Sequence, residues 1–193
     1  MEVEEIREEV REELTKQGNR EQWINYLALT AVILAVCATL SSFKEGNNSV
    51  DSVLSQTQAA NQWSYYQAKS IKSYLYEMQS QELGFELEAL SESAPPTVRE
   101  KIEKTRKFYE DTLKRYDQEK KEIMAKARDF ERQRDEATRR AASYGMAVIF
   151  LQMGILLCSL SALMKKKMLW LLGSLVGVVG IVYFVDGFIL FLA

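Results

Sequence analysis

The sequence predicts an all-α membrane protein with three transmembrane helices and a long antiparallel coiled-coil hairpin between the first and the second. Three observations predict this fold. Three long runs are almost free of charge, and the hundred residues between the first two runs are crowded with it. The 193 residues include only 9 Gly and 2 Pro. Because both residue types interrupt helices, their scarcity favours long continuous ones.

The three apolar runs are residues 23–43, 144–164 and 168–193. The first two contain no charge, and the third contains only Asp186. About 20 apolar residues are needed to cross a ~30 Å hydrocarbon layer as a helix, and each run reaches that length. A buried core helix would explain one run, but not three in a chain with a mean hydropathy of −0.20. The runs therefore predict a multi-pass protein.

Residues 1–22 predict an acidic amphipathic helix before the first span. The segment has eight acidic and four basic residues, and its apolar stripe consists of Val3, Ile6, Val10 and Leu14. An acidic face does not suit anionic lipid, since interfacial helices favour Lys and Arg. The stripe either packs on a neighbouring copy or belongs to a solvated helix. The acidic leader also predicts that the first span is a signal anchor rather than a cleaved signal peptide.

The orientation is predicted from the basic turn at residues 165–167, three consecutive Lys. Short basic loops favour the cytoplasm, which puts the N-terminus inside the cell and the segment 44–143 on the outer side of the membrane. Arg139 and Arg140, next to the second span, argue for the opposite orientation.

The segment 44–143 reads as a helical hairpin with a turn at residues 91–97. Pro95 and Pro96 divide the segment, and Thr97 with Glu100 forms a capping-box pattern. Arms of residues 50–90 and 98–143 would be about 60 and 70 Å long as helices. Similar lengths return the chain to the membrane, so the sequence predicts a coiled-coil stalk on a three-helix base.

Each arm has a recurring series of residues. The second arm keeps seven-residue steps at Ile102, Tyr109, Tyr116, Ile123, Phe130 and Ala137. It also has eight acid-before-base pairs at i,i+4, from Glu100–Lys104 to Glu136–Arg140, which support a helix. The first arm has a less regular seam at Val50, Leu54, Thr57, Asn61, Ser64, Ala68, Ile71, Leu75, Met78 and Phe85.

The two arms differ in charge, and this difference predicts a homo-oligomer. Residues 50–90 contain 7 charges in 41, whereas residues 97–143 contain 26 in 47. So few charges suggest that the first arm buries more than one face, and another copy of the chain is the simplest second partner. The alternative is a monomeric hairpin with wet Tyr side chains. The predicted oligomer or packing contacts are Trp63, Tyr65, Tyr66, Ile71, Tyr74, Leu75 and Met78.

The string from Trp63 to Lys72, WSYYQAKSIK, and the first span ending LAVCATLSSFK resemble a bacterial membrane-protein family, domain of unknown function 4337. The resemblance covers nearly the whole chain. It implies a bacterial origin, a place in the cytoplasmic (inner) membrane and no established activity.

The sequence gives no basis for enzymatic chemistry. His is absent, Cys37 and Cys158 both lie in apolar runs, and no Gly-rich phosphate loop is present. Nucleophilic catalysis needs a base beside the nucleophile, and His is the commonest one. We therefore predict a non-enzyme with no catalytic, cofactor-binding or metal-binding residues. The net charge of −2 also excludes the strong positive field that nucleic acid requires.

Polar and small residues inside the spans are the remaining candidates. Gly173, Gly177 and Gly180 predict close helix packing in the third span. Asp186 is a functional candidate because a charge inside a bilayer is costly. The position we favour for it is nevertheless the far membrane interface, since the 18 residues of the run before it give about 27 Å of helix. Gln152 is a weaker candidate, expected to form an interhelical hydrogen bond.

Two functions are consistent with these features. The first is a homo-oligomeric coiled-coil scaffold, or an adaptor whose hairpin binds another protein. The alternative is a channel or transport component with a polar path lined by the first arm or Asp186. The expected partners are membrane lipid, further copies of the chain and a protein at the hairpin.

Overall fold

The computed structural model describes the backbone of residues 2–90 and 95–190, and the side chains of Arg11 and of residues 22–90 and 95–190. All of the regular structure in these residues is helical. The chain forms α1 (Glu2–Ala89), α2 (Pro96–Met164) and α3 (Lys167–Ile189), which pack antiparallel. The all-α class predicted from the sequence is therefore confirmed.

Three helical segments are long and apolar enough to cross a membrane. They lie within Gln22–Ala89, Pro96–Met164 and Lys167–Ile189. The first two of these segments have 68 and 69 residues and are much longer than one crossing needs. Only part of α1 and part of α2 can therefore lie in a bilayer, as the charge distribution indicates.

The helix ends differ in detail from the predicted boundaries. α2 begins at Pro96, so Thr97 lies inside its first turn; the predicted turn residues 91–94 lie outside the described part. Proline suits this position because the first helical N–H has no intrahelical partner. α3 ends at Ile189, before the end of the predicted span 168–193, and Leu190 adopts a left-handed conformation with φ 54°. Residues 191–193, and the side chains of the predicted N-terminal stripe, are outside the described residues.

The chain divides into two compact units, described separately here. The first unit consists of residues 1–51 and 136–193, and the second of residues 52–135. In the first unit, three helical segments enclose a core of Leu34, Ala38, Ala147, Leu151 and Cys158. Most other large apolar side chains of these segments are exposed, as expected for helices that face lipid.

The second unit is an antiparallel pair formed by residues 52–89 of α1 and residues 96–135 of α2. The predicted seven-residue series of the second arm lies on the covered side of α2 over residues 102–130, where Ile123 is 6% exposed. The series predicted for the first arm does not face α2, because its members between residues 54 and 85 are exposed.

A different series of α1 faces α2 in this unit. Its spacing alternates four and three residues, and many of its side chains are small or polar: Ser55, Ala59, Gln62, Tyr66, Lys69, Ser73, Tyr76, Ser80, Leu83 and Leu87. The large side chains of α2 need space between the helices, and small residues on the facing helix provide it. The hairpin therefore buries the side of α1 that has small and polar residues and leaves the apolar side of α1 uncovered.

Candidate functional site

The first feature with functional meaning is a set of polar contacts across the hairpin. The indole Nε1 of Trp63 donates to Oε1 of Glu131 at 2.8 Å, and Nη1 of Arg134 donates to Oε1 of Gln56 at 2.7 Å. Trp63 also packs edge-on against Tyr66, with ring centroids 5.7 Å apart. These directional contacts fix which residues of the two arms face each other. The structure thus assigns Trp63 and Tyr66 to the hairpin interior.

Lys69 links the arms in the next part of the hairpin. Its ammonium forms an ion pair with Glu119 and lies 4.4 Å from the centroid of the Tyr116 ring. The hydrogen bond to Glu119 raises the pKa of Lys69 above its ordinary value, although burial acts in the opposite direction. Arg115 lies 3.7 Å from the other oxygen of Glu119. Lys69 therefore stays charged inside the hairpin and adds a specific electrostatic link.

An aromatic cluster continues the contact surface toward the turn. Tyr76 of α1 lies 5.4 Å from Tyr109 and 5.7 Å from Tyr116 of α2, measured between ring centroids. Edge-to-face and tilted pairs at this separation are favourable beyond the area they bury. The motif from Trp63 to Lys72, together with Tyr76, therefore supplies much of the specific pairing between the arms.

Five of the seven predicted contact residues lie on the other side of α1. Their exposed fractions range from 51% to 66%, and they are Tyr65, Ile71, Tyr74, Leu75 and Met78. Tyr65 keeps one link to the hairpin, because the ammonium of Lys69 lies 5.8 Å from its ring. This exposed apolar face lies outside the apolar run of residues 23–43.

The three glycines predicted for helix packing all touch neighbouring helices within the first unit. A Cβ atom at Gly173 would lie 3.0 Å from the backbone oxygen of Gly154, and one at Gly177 would lie 2.6 Å from Leu34. At Gly180 it would lie 2.7 Å from Leu151. The absence of a side chain at these positions allows α3 to approach α1 and α2 closely.

Asp186 is buried in the first unit, where it is 4% exposed. Ser143 Oγ donates to its Oδ2 at 2.8 Å. Ser143 immediately precedes the second apolar run. Two residues after Asp186, the ring of Phe188 lies 5.5 Å from the ammonium of Lys44, which follows the first run. These neighbours put Asp186 level with the ends of the first two apolar runs, and its place at a membrane interface stays a prediction.

Gln152 has a different environment, because it is exposed near the middle of the second apolar run. Among the described residues, none forms a hydrogen bond with its side-chain amide. An amide that faces hydrocarbon without a partner is unfavourable, whereas a partner on another helix satisfies it. The structure thus does not pair Gln152 within one chain.

Sequence reasoning missed several residues that complete these contacts. Glu131 and Glu119 are two of many acids in α2, and no local pattern distinguishes them before the register of the hairpin is known. Gly154 and Gly187 also receive close contacts; a Cβ at Gly187 would lie 2.6 Å from the Tyr144 ring. Their positions inside apolar runs were the one available signal for both glycines.

The described residues contain no group of three or more His, Cys, Asp or Glu arranged to hold a metal ion. Many of their polar side chains pair within one helix, as Arg140 does with Glu136, whereas contacts such as Trp63–Glu131 and Ser143–Asp186 join different helices. The arrangement described here is thus one of helix association.

Comparison with known proteins identifies the family but no activity. No curated protein and no solved structure matches the chain. The family model described as Domain of unknown function (DUF4337) matches residues 23–190. That range includes the Trp63 motif, both arms and all three apolar segments. The chain therefore belongs to the uncharacterised DUF4337 family.

Proposed function

We propose that the chain is a non-enzymatic integral membrane protein that assembles with copies of itself into a coiled-coil scaffold. The observation that carries this proposal is that, in the second unit, α1 buries its less hydrophobic side and exposes its apolar side. Its small and polar side is covered by α2, while Ile71, Leu75 and Met78 remain more than half exposed. A helix with an uncovered apolar side outside a bilayer needs a further partner.

The membrane location is part of the same proposal. Three apolar segments support it, with Trp23 and Trp170 near their ends, where indole rings favour the headgroup region. The basic turn at residues 165–167 favours a cytoplasmic N-terminus and a periplasmic hairpin in a bacterial inner membrane. In this arrangement the hairpin would be available to other copies, or to a protein partner, outside the cytoplasm.

A channel or transport component is the second candidate, and Gln152 is the observation that favours it. Its exposed amide could line a polar path between copies as readily as it could pair two helices. The same assembly would serve both functions. Ion flux through liposomes that contain the purified protein separates them, because a scaffold gives no flux above that of empty liposomes.

Copurification of two differently tagged copies tests the proposed assembly. Both copies are expressed in one cell, membranes are solubilised in a mild detergent, and one tag is captured. The proposal predicts that the second tag is recovered with the first. In the control, each copy is expressed alone and the two detergent extracts are mixed before capture. Recovery of the second tag from this mixture would indicate that the copies associate in detergent and not in the membrane. Recovery of the captured copy alone would contradict the scaffold.

A further inference from the structure

The uncovered side of α1 has a regular seven-residue repeat. The residues at this step are Val50, Thr57, Ser64, Ile71, Met78 and Phe85, and all six are exposed. In the sequence the same step continues back through Phe43, Val36 and Leu29 of the first apolar run, each of which is also exposed. Apart from Thr57 and Ser64 the members of this series are apolar, and a sustained seven-residue repeat of mainly apolar residues is the pattern of a left-handed coiled coil.

The exposed area is large enough for a stable interface. Between Val50 and Phe85, α1 has nine large apolar side chains with exposed fractions of 51–70%. Three of the nine are aromatic, with areas of roughly 150–250 Å² each, and counting the smaller aliphatic residues the nine expose on the order of 1,000 Å². The largest apolar patch of an ordinary monomer is about 300–600 Å². A standard protein interface buries about 800 Å² on each partner, so this side of α1 suffices for one.

We propose that the occupant of this surface is the same surface of a second copy, with the two α1 helices parallel and in register. This inference rests on the proposed function, because it requires that the chain assembles with itself. It adds the surface, the direction and the register of the contact. Copies inserted in one orientation run their α1 helices in the same direction, which favours the parallel arrangement.

The order of side chains along the repeat supports this register. Apolar residues stand at both ends of the extramembrane repeat, with Thr57, Asn61 and Ser64 between them. In a parallel pair without offset, polar residues meet polar residues and Ile71, Met78 and Phe85 meet themselves. A shift of one heptad would put Ser64 against Ile71. Single polar layers specify register in coiled coils because misaligned pairs bury unsatisfied groups.

Charge gives little basis for a different protein at this surface. Residues 50–90 have 7 charges in 41, and Lys69 is already paired with Glu119. An acidic or basic partner would find few complementary groups here. A second apolar repeat of the same spacing is a better match, and another copy of α1 has one.

The double substitution Ile71→Asp with Met78→Asp tests the surface. Both side chains are exposed in one chain, at 57% and 66%, so the hairpin itself should keep its helicity. Phe108→Asp is the matched control, because Phe108 is 61% exposed but lies on α2. We expect the double variant to weaken association about 30-fold or more, as loss of a central contact does, and the control to change it little. Sedimentation in detergent is the measurement.

Cysteine cross-linking tests the register in the full-length chain. Cys37 and Cys158 are replaced by Ala, and single cysteines are placed at Ile71, at Met78 or at Lys114, whose side chain is 79% exposed on α2. Parallel packing in register predicts covalent dimers from Ile71→Cys and Met78→Cys but not from Lys114→Cys. A dimer formed only when Ile71→Cys and a cysteine at a different heptad are mixed would overturn the register.

The outcomes separate this inference from the proposed function. If the wild-type chain sediments as a monomer of 22.2 kDa, both are wrong. If it is oligomeric, but the double variant and the Phe108→Asp control behave alike, the scaffold remains and the α1 surface is not its interface. If the double variant loses helicity, the surface belongs to the fold of the chain itself, and this also overturns the inference.

Discussion

Replacement of Gly180 by Ala should destabilise the apolar segments, although Ala is the better helix former. A Cβ atom at this position would lie 2.7 Å from Cγ and 2.9 Å from the backbone nitrogen of Leu151. Leu151 is fully buried, and a backbone atom cannot rotate away. Overpacking of this kind costs about 1–3 kcal/mol. Helix propensity returns up to ~1 kcal/mol, so with the full gain subtracted we expect a net loss of up to about 2 kcal/mol.

Gly46→Ala is the matched control for this prediction. Gly46 also lies inside a helix, in this case α1, but a Cβ there would meet nothing within 4 Å. Only the gain in helix propensity remains, so this variant should be stabilised by up to ~1 kcal/mol. Thermal unfolding of the two purified variants in one mild detergent, compared with the wild type, measures both effects. Shifts in the same direction would refute the close approach of α3 to Leu151.

Three further substitutions address the helix contacts. Trp63→Ala should lower the free energy of unfolding by about 2–3 kcal/mol, since it removes a hydrogen bond to the Glu131 carboxylate and a ring contact. In chemical unfolding, Trp63→Phe should cost less. Equal losses for the two variants would contradict the role of the ring. Folding raises the pKa of Lys69. Its contribution to the free energy of unfolding is therefore complete below the unfolded pKa of about 10.4 and is lost as pH rises further. Unfolding measured from pH 8 to 11.5 should show this loss, and the Lys69→Met variant should lack this pH dependence. Asp186→Ala leaves the Ser143 hydroxyl without its Asp186 acceptor and should destabilise the protein by about 1–3 kcal/mol. Asp186→Asn retains an acceptor oxygen and should therefore destabilise it less. Identical melting temperatures for the two variants would contradict this contact.

The second arm could be predicted well from the sequence, because its large side chains recur every seven residues and its other positions are charged. Only one side of such a helix can be buried. Among the ion pairs predicted at i,i+4, Glu136–Arg140 is present at 2.5 Å. Asp111 and Asp117 instead pair at i,i+3, with Lys114 and Lys120. The rotamers of long exposed side chains decide between these spacings at little energetic difference.

The first arm could be predicted only in part, because it has two sides that a helix partner could cover. Hydrophobicity favours the series with Ile71 and Met78, yet α2 covers the side with Ser55, Ala59 and Ser73. Steric fit between large and small side chains determines this choice, and it involves residues on both arms. A pattern read along one helix does not contain that information. The same reason explains why Glu131 and Glu119 could not be singled out beforehand.

Whether copies of the chain assemble in the membrane can be measured by counting subunits in native lipid. Membranes that contain the full-length chain are dispersed into polymer-bounded lipid discs without detergent, with one fluorophore attached to each copy at its C-terminus. Photobleaching steps are then counted for single discs diluted so that chance occupancy by two unrelated copies is rare. Self-assembly predicts that most discs show the same number of bleaching steps and that this number is greater than one. A single step in nearly every disc would contradict it.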